Sequence, residues 1–242
     1  MGVLARGVLT GRAVDVEWLF TDRRDGVSAG PYASMNVGML VEDDPADVAR
    51  NRQLVAGYLG VDRLAVMRQV HGRDVVRVEA SAPTPPEADA LITRTPGVAV
   101  TVQVADCVPV LLADPASGQV AAVHAGWRGV AAGVVGATLE EMRPVGDVSA
   151  WVGPAICPGC YEVSAQVRDE VADVVPAAAS TTRAGTPALD VRAGVLAQLA
   201  EYGILGVPVG GCTFEDPSLF SFRRASTTGR QAGIVLMRRT DA

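Results

Sequence analysis

Apolar and polar residues alternate with a period of two from Val14 to Phe20, which predicts a half-buried strand, and Gly30-Pro31-Tyr32 then marks a loop carrying Ser34-Met35-Asn36-Val37-Gly38. The period changes after that loop. Val48, Val55 and Leu59 share one helical face, Asp44 stands where an N-cap belongs, Pro45 takes the first helical position and Gly60 closes the segment, so a helix is expected there. Leu64 to Val70 and Asp74 to Val78 read as strands on either side of a His71-Gly72 turn, followed by a proline-rich surface loop from Ala80 to Glu87. Two valine-rich strands, Val98 to Val104 and Val108 to Leu112, bracket the polar pair Asp106-Cys107. After a turn over Asp114 to Gly118, a strand from Gln119 to His124 leads through Ala125-Gly126-Trp127-Arg128-Gly129 into a helix expected from Val130 to Met142, apolar on most faces and therefore buried.

The last third continues the alternation. A strand at Ala150 to Val152 reaches the rigid loop Gly153 to Cys160, a helix is expected from Ser164 to Val174, and a loose Ala/Ser/Thr loop follows. Asp190 caps a further helix to Glu201, and Ile234 to Met237 forms a final strand. No internal repeat and no long linker interrupts the 242 residues, so the expectation is one layered domain, α/β or mixed α+β.

With 49% hydrophobic residues the chain can bury its own core. The formal net charge of -6 and the absence of an arginine block argue against nucleic acid as partner. The first residues lack an apolar signal core and the longest apolar runs are short or interrupted, so neither a membrane span nor export is expected and the reading is cytoplasmic. More decisive is what is missing. All 21 basic residues are arginine, which excludes Schiff-base enzymes, pyridoxal phosphate aldimines and the lysine-bearing P-loop. Imidazole chemistry is confined to His71 and His124.

Both histidines and Cys107 end or interrupt strand-like runs beside small residues, an arrangement that projects side chains from strand ends into a shared cleft. Two imidazoles and a thiolate suit Zn²⁺, and three protein ligands leave a fourth position open, as catalytic sites do. On residue types alone the alternative stands beside it, in which the histidines are satisfied core residues and Cys107 an inert thiol. Cys157 and Cys160 form a C-x-x-C; with no second C-x-x-C and no spare histidine to complete a separate tetrahedral site, they read as structural thiols rather than a redox pair.

The runs Ser34-Met35-Asn36-Val37-Gly38, Arg68-Gln69-Val70-His71-Gly72, Ala88-Asp89-Ala90-Leu91, Ala105 to Leu112, Val123 to Gly129 and Gly153-Pro154-Ala155-Ile156 resemble the laccase-domain family. So do Phe220-Ser221-Phe222-Arg223-Arg224 and Thr228-Gly229-Arg230 near the C-terminus. Its members are also known as polyphenol oxidoreductases, purine nucleoside phosphorylases and peptidoglycan editing factors. The resemblance implies a single four-layer α/β/β/α sandwich-like domain spanning residues 1–242, in which His71, Cys107 and His124 bind zinc. It also implies phosphorolysis of adenosine, inosine, guanosine and methylthioadenosine, with adenosine deamination in the same pocket. Cys157 departs from the glycine that many relatives carry there.

Zinc lowers the pKa of a bound water towards about 7, which suits deamination, but the H-x-E signature of zinc deaminases is absent because Gly72-Arg73 follow His71. Asp106 is the candidate acid/base, with a turn or supporting role as its alternative. For phosphate, the helix opening at Gly126-Trp127-Arg128-Gly129 and the Arg128 fork are candidates, together with Arg52 and Arg223, while Asn36 and Gln69 offer hydrogen bonds to ribose or base. Each has a scaffold alternative. Three rival functions remain open: a copper polyphenol oxidase, which two histidines cannot supply with a multicopper cluster; a peptidoglycan-precursor editing hydrolase with Cys107 as nucleophile; and a zinc-binding module without turnover. Either a monomer or a homodimer is compatible with the chain.

Overall fold

The computed structural model describes residues 1–11 and 13–240. The chain opens with strands β1 (Val3–Leu9) and β2 (Val14–Thr21), then helix α1 (Pro45–Tyr58) and strands β3 (Leu64–Ala65), β4 (Val75–Arg77) and β5 (Ala90–Thr93). Strands β6 (Ala99–Val104), β7 (Val108–Asp114) and β8 (Gln119–Ala125) run into helices α2 (Trp127–Ala131) and α3 (Val134–Met142). Strand β9 (Ser149–Val152), helix α4 (Ala165–Val174), hairpin strands β10 (Ala179–Thr181) and β11 (Pro187–Leu189), helix α5 (Val191–Glu201), β12 (Gly206–Pro208) and β13 (Gln231–Arg239) complete it.

Two sheets face each other. One has the order β1-β2-β13-β6-β3, the other β12-β9-β7-β8-β5-β4. Because side chains alternate along a strand, each inner strand serves two cores. On β7, Val108, Val110 and Leu112 join the core under α2, α3 and α5, whereas Leu111 and Ala113 join the core between the sheets. On β13, Val235 and Met237 face between the sheets, and Ile234 and Leu236 pack under α1. The layers are therefore helix, sheet, sheet, helices, a mixed α/β architecture with both faces of β7 and β8 buried. The same alternation places His124 on the inter-sheet face, in line with Val120 and Ala122, at the end of β8.

Helix α1 forms as its signals predict: the Asp44 carboxylate accepts from the Ala46 amide at 2.8 Å, Pro45 needs no donor, and Gly60 takes φ +60° after the last turn. Three expectations are corrected. The helix expected over Val130 to Met142 is broken at Gly133, whose φ of +81° is a left-handed conformation that starts a new helix. The strand expected from Leu64 to Val70 pairs with β6 only at Leu64 and Ala65, and Arg68 makes a single parallel bridge to Glu87; on the β6 side the Gln69 side-chain amide takes over, donating to the Gln103 carbonyl at 2.8 Å and accepting from its amide at 2.9 Å. The loose loop after α4 contains the β10–β11 hairpin, closed by the Thr182 and Thr186 hydroxyls at 2.7 Å and by Gly185 at φ +79°. The edge strands β1 and β12 had no clear sequence signal. Among the described residues no helix is long and apolar enough to cross a membrane.

Candidate active site

The chain crosses from one sheet to the other between β6 and β7, and this crossing makes the site. Asp106, at φ +90°, turns the backbone so that Cys107 stands at the start of β7, beside the end of β8 where His124 lies. Aspartate is among the few residues other than glycine found at positive φ. Here its two carboxylate oxygens accept from the Thr213 hydroxyl and the Arg223 amide, both at 2.6 Å. His71 arrives from the loop before β4 and also has a positive φ, +62°.

Asp89 joins the two histidines. This carboxylate is fully buried at the head of β5. Its Oδ1 accepts from the His71 amide at 2.9 Å and from His124 Nδ1 at 2.8 Å. Its Oδ2 accepts from the Gly72 amide at 2.7 Å and the Val70 amide at 3.3 Å. One buried anion thereby fixes the His71 loop and orients the His124 ring, leaving its Nε2 as the atom available to a metal. Desolvation works against the Asp89 carboxylate, yet the bonds from His124, Gly72 and His71 hold its pKa below the ordinary carboxylate value.

His71, Cys107 and His124 bring their donor atoms within 4.8 Å of one another. His71 Nε2 lies 3.9 Å from Cys107 Sγ, and the two rings meet edge to face with centroids 4.7 Å apart. A tetrahedral ion with Zn–S and Zn–N bonds of about 2.3 and 2.1 Å separates its S and N ligands by about 3.6 Å, so the donor set fits a metal ion. Gly126 supports the fit, because a Cβ there would stand 2.9 Å from the His71 ring and 3.2 Å from Cys107 Sγ. Without metal the same atoms form an ion pair. Burial opposes both charges, but His124 and His71 pull the Cys107 thiol down to about 6, and Cys107 and Asp89 raise His124 to about 9.

These three residues open into a cavity of about 500 Å³ that Gln69, Asp106, Arg128, Arg223 and Arg230 also line. Three aromatic rings, Trp127, Tyr161 and Phe222, stand on its wall, and an arginine lies over each: Arg128 at 4.3 Å, Arg223 at 4.9 Å and Arg230 at 6.0 Å. Arg223 also donates to the Glu162 carbonyl, and Arg230 to those of Thr228 and Gly229. Among the described residues the Arg128 guanidinium has no hydrogen-bonded acceptor, and Asp106 is the only carboxylate on the wall. A larger cleft of about 740 Å³ beside Trp18 and Tyr202 has no imidazole, thiol or arginine, so the chemistry selects the smaller one.

Not every residue singled out in the sequence meets here. Asn36 is buried outside the cavity, bonding Gly38, Asp43 and the Arg230 amide; it supports Arg230 rather than lining the wall. Arg52 donates to the Val37 carbonyl from α1, also away from the wall. Gln69 lines the cavity with its amide already engaged on Gln103. The helix after Gly126 has five residues, too short for a useful dipole, so anion binding falls to side chains. Sequence reasoning met Asp89, Phe222 and Arg230 only as parts of family motifs and gave them no role, and it overlooked Tyr161. Asp89 had a usable signal, a charge at the head of the apolar run Ala90-Leu91-Ile92.

Residues 17–238 match the family described as multi-copper polyphenol oxidoreductase laccase. A purine nucleoside phosphorylase of Streptomyces coelicolor is 51% identical over 228 residues, 89% of this chain and 93% of the relative. Another, from Mycobacterium tuberculosis, is 44% identical over 242 residues, 97% of each chain. Among solved structures, a Neisseria meningitidis protein superposes with a TM-score of 0.87 at 34% identity, covering 98% of this chain and all of the other. YlmD from Geobacillus stearothermophilus gives 0.84 at 31% identity, with coverage of 95% and 98%.

Proposed function

Because the chain belongs to the multi-copper polyphenol oxidoreductase laccase family, and because a metal-fitting triad opens into an arginine-lined cavity, we propose that it is a zinc-dependent purine nucleoside phosphorylase. Its substrates in this reading are adenosine, inosine, guanosine and methylthioadenosine with inorganic phosphate, and adenosine is also deaminated in the same cavity. The names of the relatives support the phosphorylase class. The observation that carries the reading is Arg128, a guanidinium without a hydrogen-bonded acceptor among the described residues, on the same wall as His71, Cys107 and His124.

In phosphorolysis a phosphate oxygen bonds to C1′ of the ribose while the bond from C1′ to the base nitrogen breaks. The electron pair leaves with the base, which takes up a proton. Arg128, Arg223 and Arg230 would hold the phosphate, since guanidinium forks bind its oxygens in pairs. Phe222, 53% exposed on the wall, offers an apolar face to the base. His71, Cys107 and His124 would hold Zn²⁺, which when bound supplies Lewis acidity for phosphorolysis and deamination. Asp106 is the proposed carrier of the proton, being the one carboxylate on the described wall.

The test is chromatographic, with each nucleoside incubated with and without phosphate. Free base together with ribose 1-phosphate, formed only when phosphate is supplied, is the expected result; base released at the same rate without phosphate overturns the reading. The Cys107–His124 ion pair favours one second reading, a cysteine hydrolase acting on a cell-wall precursor. Chelation separates the two, since it stops the zinc enzyme but frees the thiolate of a hydrolase. The multicopper label fits less well, because two histidines are too few for a blue copper and a trinuclear centre together.

A further inference from the structure

The fold supplies what the C-x-x-C lacks in sequence. Cys157 and Cys160 flank a single turn over Pro158–Cys160, closed by the Cys160 amide on the Cys157 carbonyl at 3.0 Å, which sets the two thiols side by side. The third thiol comes from another loop. Ala155 bridges Cys212 in parallel, the Thr213 amide donates to the Ala155 carbonyl at 3.1 Å, and the Cys157 amide donates to Cys212 Sγ at 3.2 Å. The sulfurs of Cys157, Cys160 and Cys212 lie within 4.8 Å of one another, and all three are free thiols. A tetrahedral zinc with Zn–S bonds of about 2.3 Å needs sulfurs about 3.8 Å apart, which shifts of less than about 1 Å would reach.

A carboxylate lies beside one of the three: Cys160 Sγ donates to Glu215 Oε1 across 3.7 Å. Arg183 pairs with the Glu215 carboxylate and directs Nη1 at Cys160 Sγ from 3.7 Å, offsetting part of the negative charge that such a set would gather. From these positions we infer that the chain has a second metal site, a Zn²⁺ held by Cys157, Cys160 and Cys212. Lying outside the arginine-lined cavity, it is structural rather than catalytic.

The site clips together the loops on which the crossing depends. Ile156, next to Cys157, donates its amide to the Asp106 carbonyl at 3.0 Å. Thr213, next to Cys212, donates its hydroxyl to Asp106 Oδ1 at 2.6 Å. Arg192 already spans the same loops, donating to the carbonyls of Gly153 and Gly211 at 2.9 and 3.2 Å. The second metal would brace the turn that aims Cys107 without touching the cavity.

Metal content by plasma mass spectrometry tests the site directly. Wild-type chain is expected to carry about two zinc ions, and the Cys107→Ala and Cys212→Ser variants about one each. Cobalt-loaded Cys107→Ala then reports on the intact three-thiol cluster, so the result does not depend on how Cys212→Ser folds; intense sulfur-to-cobalt charge-transfer absorption is expected. A zinc-free Cys107→Ala chain without that band overturns the inference, as does loss of two thiols to a disulfide in freshly purified protein. Because the readouts are stoichiometry and absorption, they are independent of phosphorolysis.

Discussion

Replacing Asp89 by asparagine is the sharpest probe of how the His71–Cys107–His124 site is held. The carboxylate accepts four N–H bonds, two on each oxygen. An amide retains one acceptor oxygen. If that oxygen keeps His71 and His124, the new NH₂ faces the amides of Gly72 at 2.7 Å and Val70 at 3.3 Å, donor against donor; the flipped amide exchanges the losing pair. Two N–H groups therefore lose their acceptor at a fully buried position, which costs about 1–3 kcal/mol for each group left unsatisfied and about 2–6 kcal/mol in all. A domain near the middle of the usual range of about 5–15 kcal/mol survives that loss, so metal binding remains measurable in the folded chain. Loss of the anion behind His124 Nδ1 should weaken metal affinity about 10- to 100-fold, the usual effect of removing a carboxylate behind a ligating histidine. Chelator competition gives the affinity, and urea unfolding of the metal-free chain gives the stability. Wild-type affinity in the Asp89→Asn variant would show that Asp89 only closes a loop and that the ring orientation argument is wrong.

In metal-free folded chain the depressed Cys107 pKa, about 6 instead of 9.0, means the thiolate persists on acidification until pH falls through about 6. Iodoacetamide labelling of Cys107 should accordingly be flat from about pH 7 to 9 and drop tenfold per unit below about 6; half-labelling near pH 9 refutes the ion pair. Gly126→Ala should leave the fold intact but reduce metal affinity about tenfold, since its Cβ would press on the His71 ring and Cys107 Sγ; unchanged affinity by chelator competition would show that the site yields freely. Arg128→Met should raise the KM for phosphate about 10- to 100-fold with a smaller effect on that for nucleoside, and an equal rise in both counts against a phosphate role. Gly133→Ala meets no atom within 4 Å, so its expected cost, about 1 kcal/mol by urea unfolding, is the left-handed backbone alone.

The parts of this fold written locally were legible in advance. Asp44-Pro45 and Asp190 cap helices where the sequence predicts, and the period-two run of β2, the valine-rich runs of β6 and β7 and the run of β8 became strands. What escaped was set by partners distant in sequence. Gln69 replaces backbone pairing with its side chain only because Gln103 faces it, and β12 is a strand only because β9 offers an edge. The site divides the same way. His71, Cys107 and His124 stand out as scarce residue types at strand ends, whereas Arg230 and Phe222 reach the cavity through a C-terminal loop that no spacing rule connects to Cys107. The same distance hid the neighbour of the C-x-x-C, since Cys212, fifty-two residues beyond Cys160, reaches it only through the fold.

Scarcity of lysine and histidine separates two functions within the cavity. Both imidazoles belong to the metal-fitting triad, and the other cations on its wall are Arg128, Arg223 and Arg230, a residue type that stays protonated throughout the working range of an enzyme. Anion capture is therefore insensitive to pH on the protein side. The groups that titrate near neutrality are the donors themselves, Cys107 at about 6 and His124 at about 9 before metal arrives, and both protons must leave for both to ligate. Acidification should first empty the metal site while the arginines still hold phosphate. A rate that falls in acid at constant metal occupancy would refute this order of events.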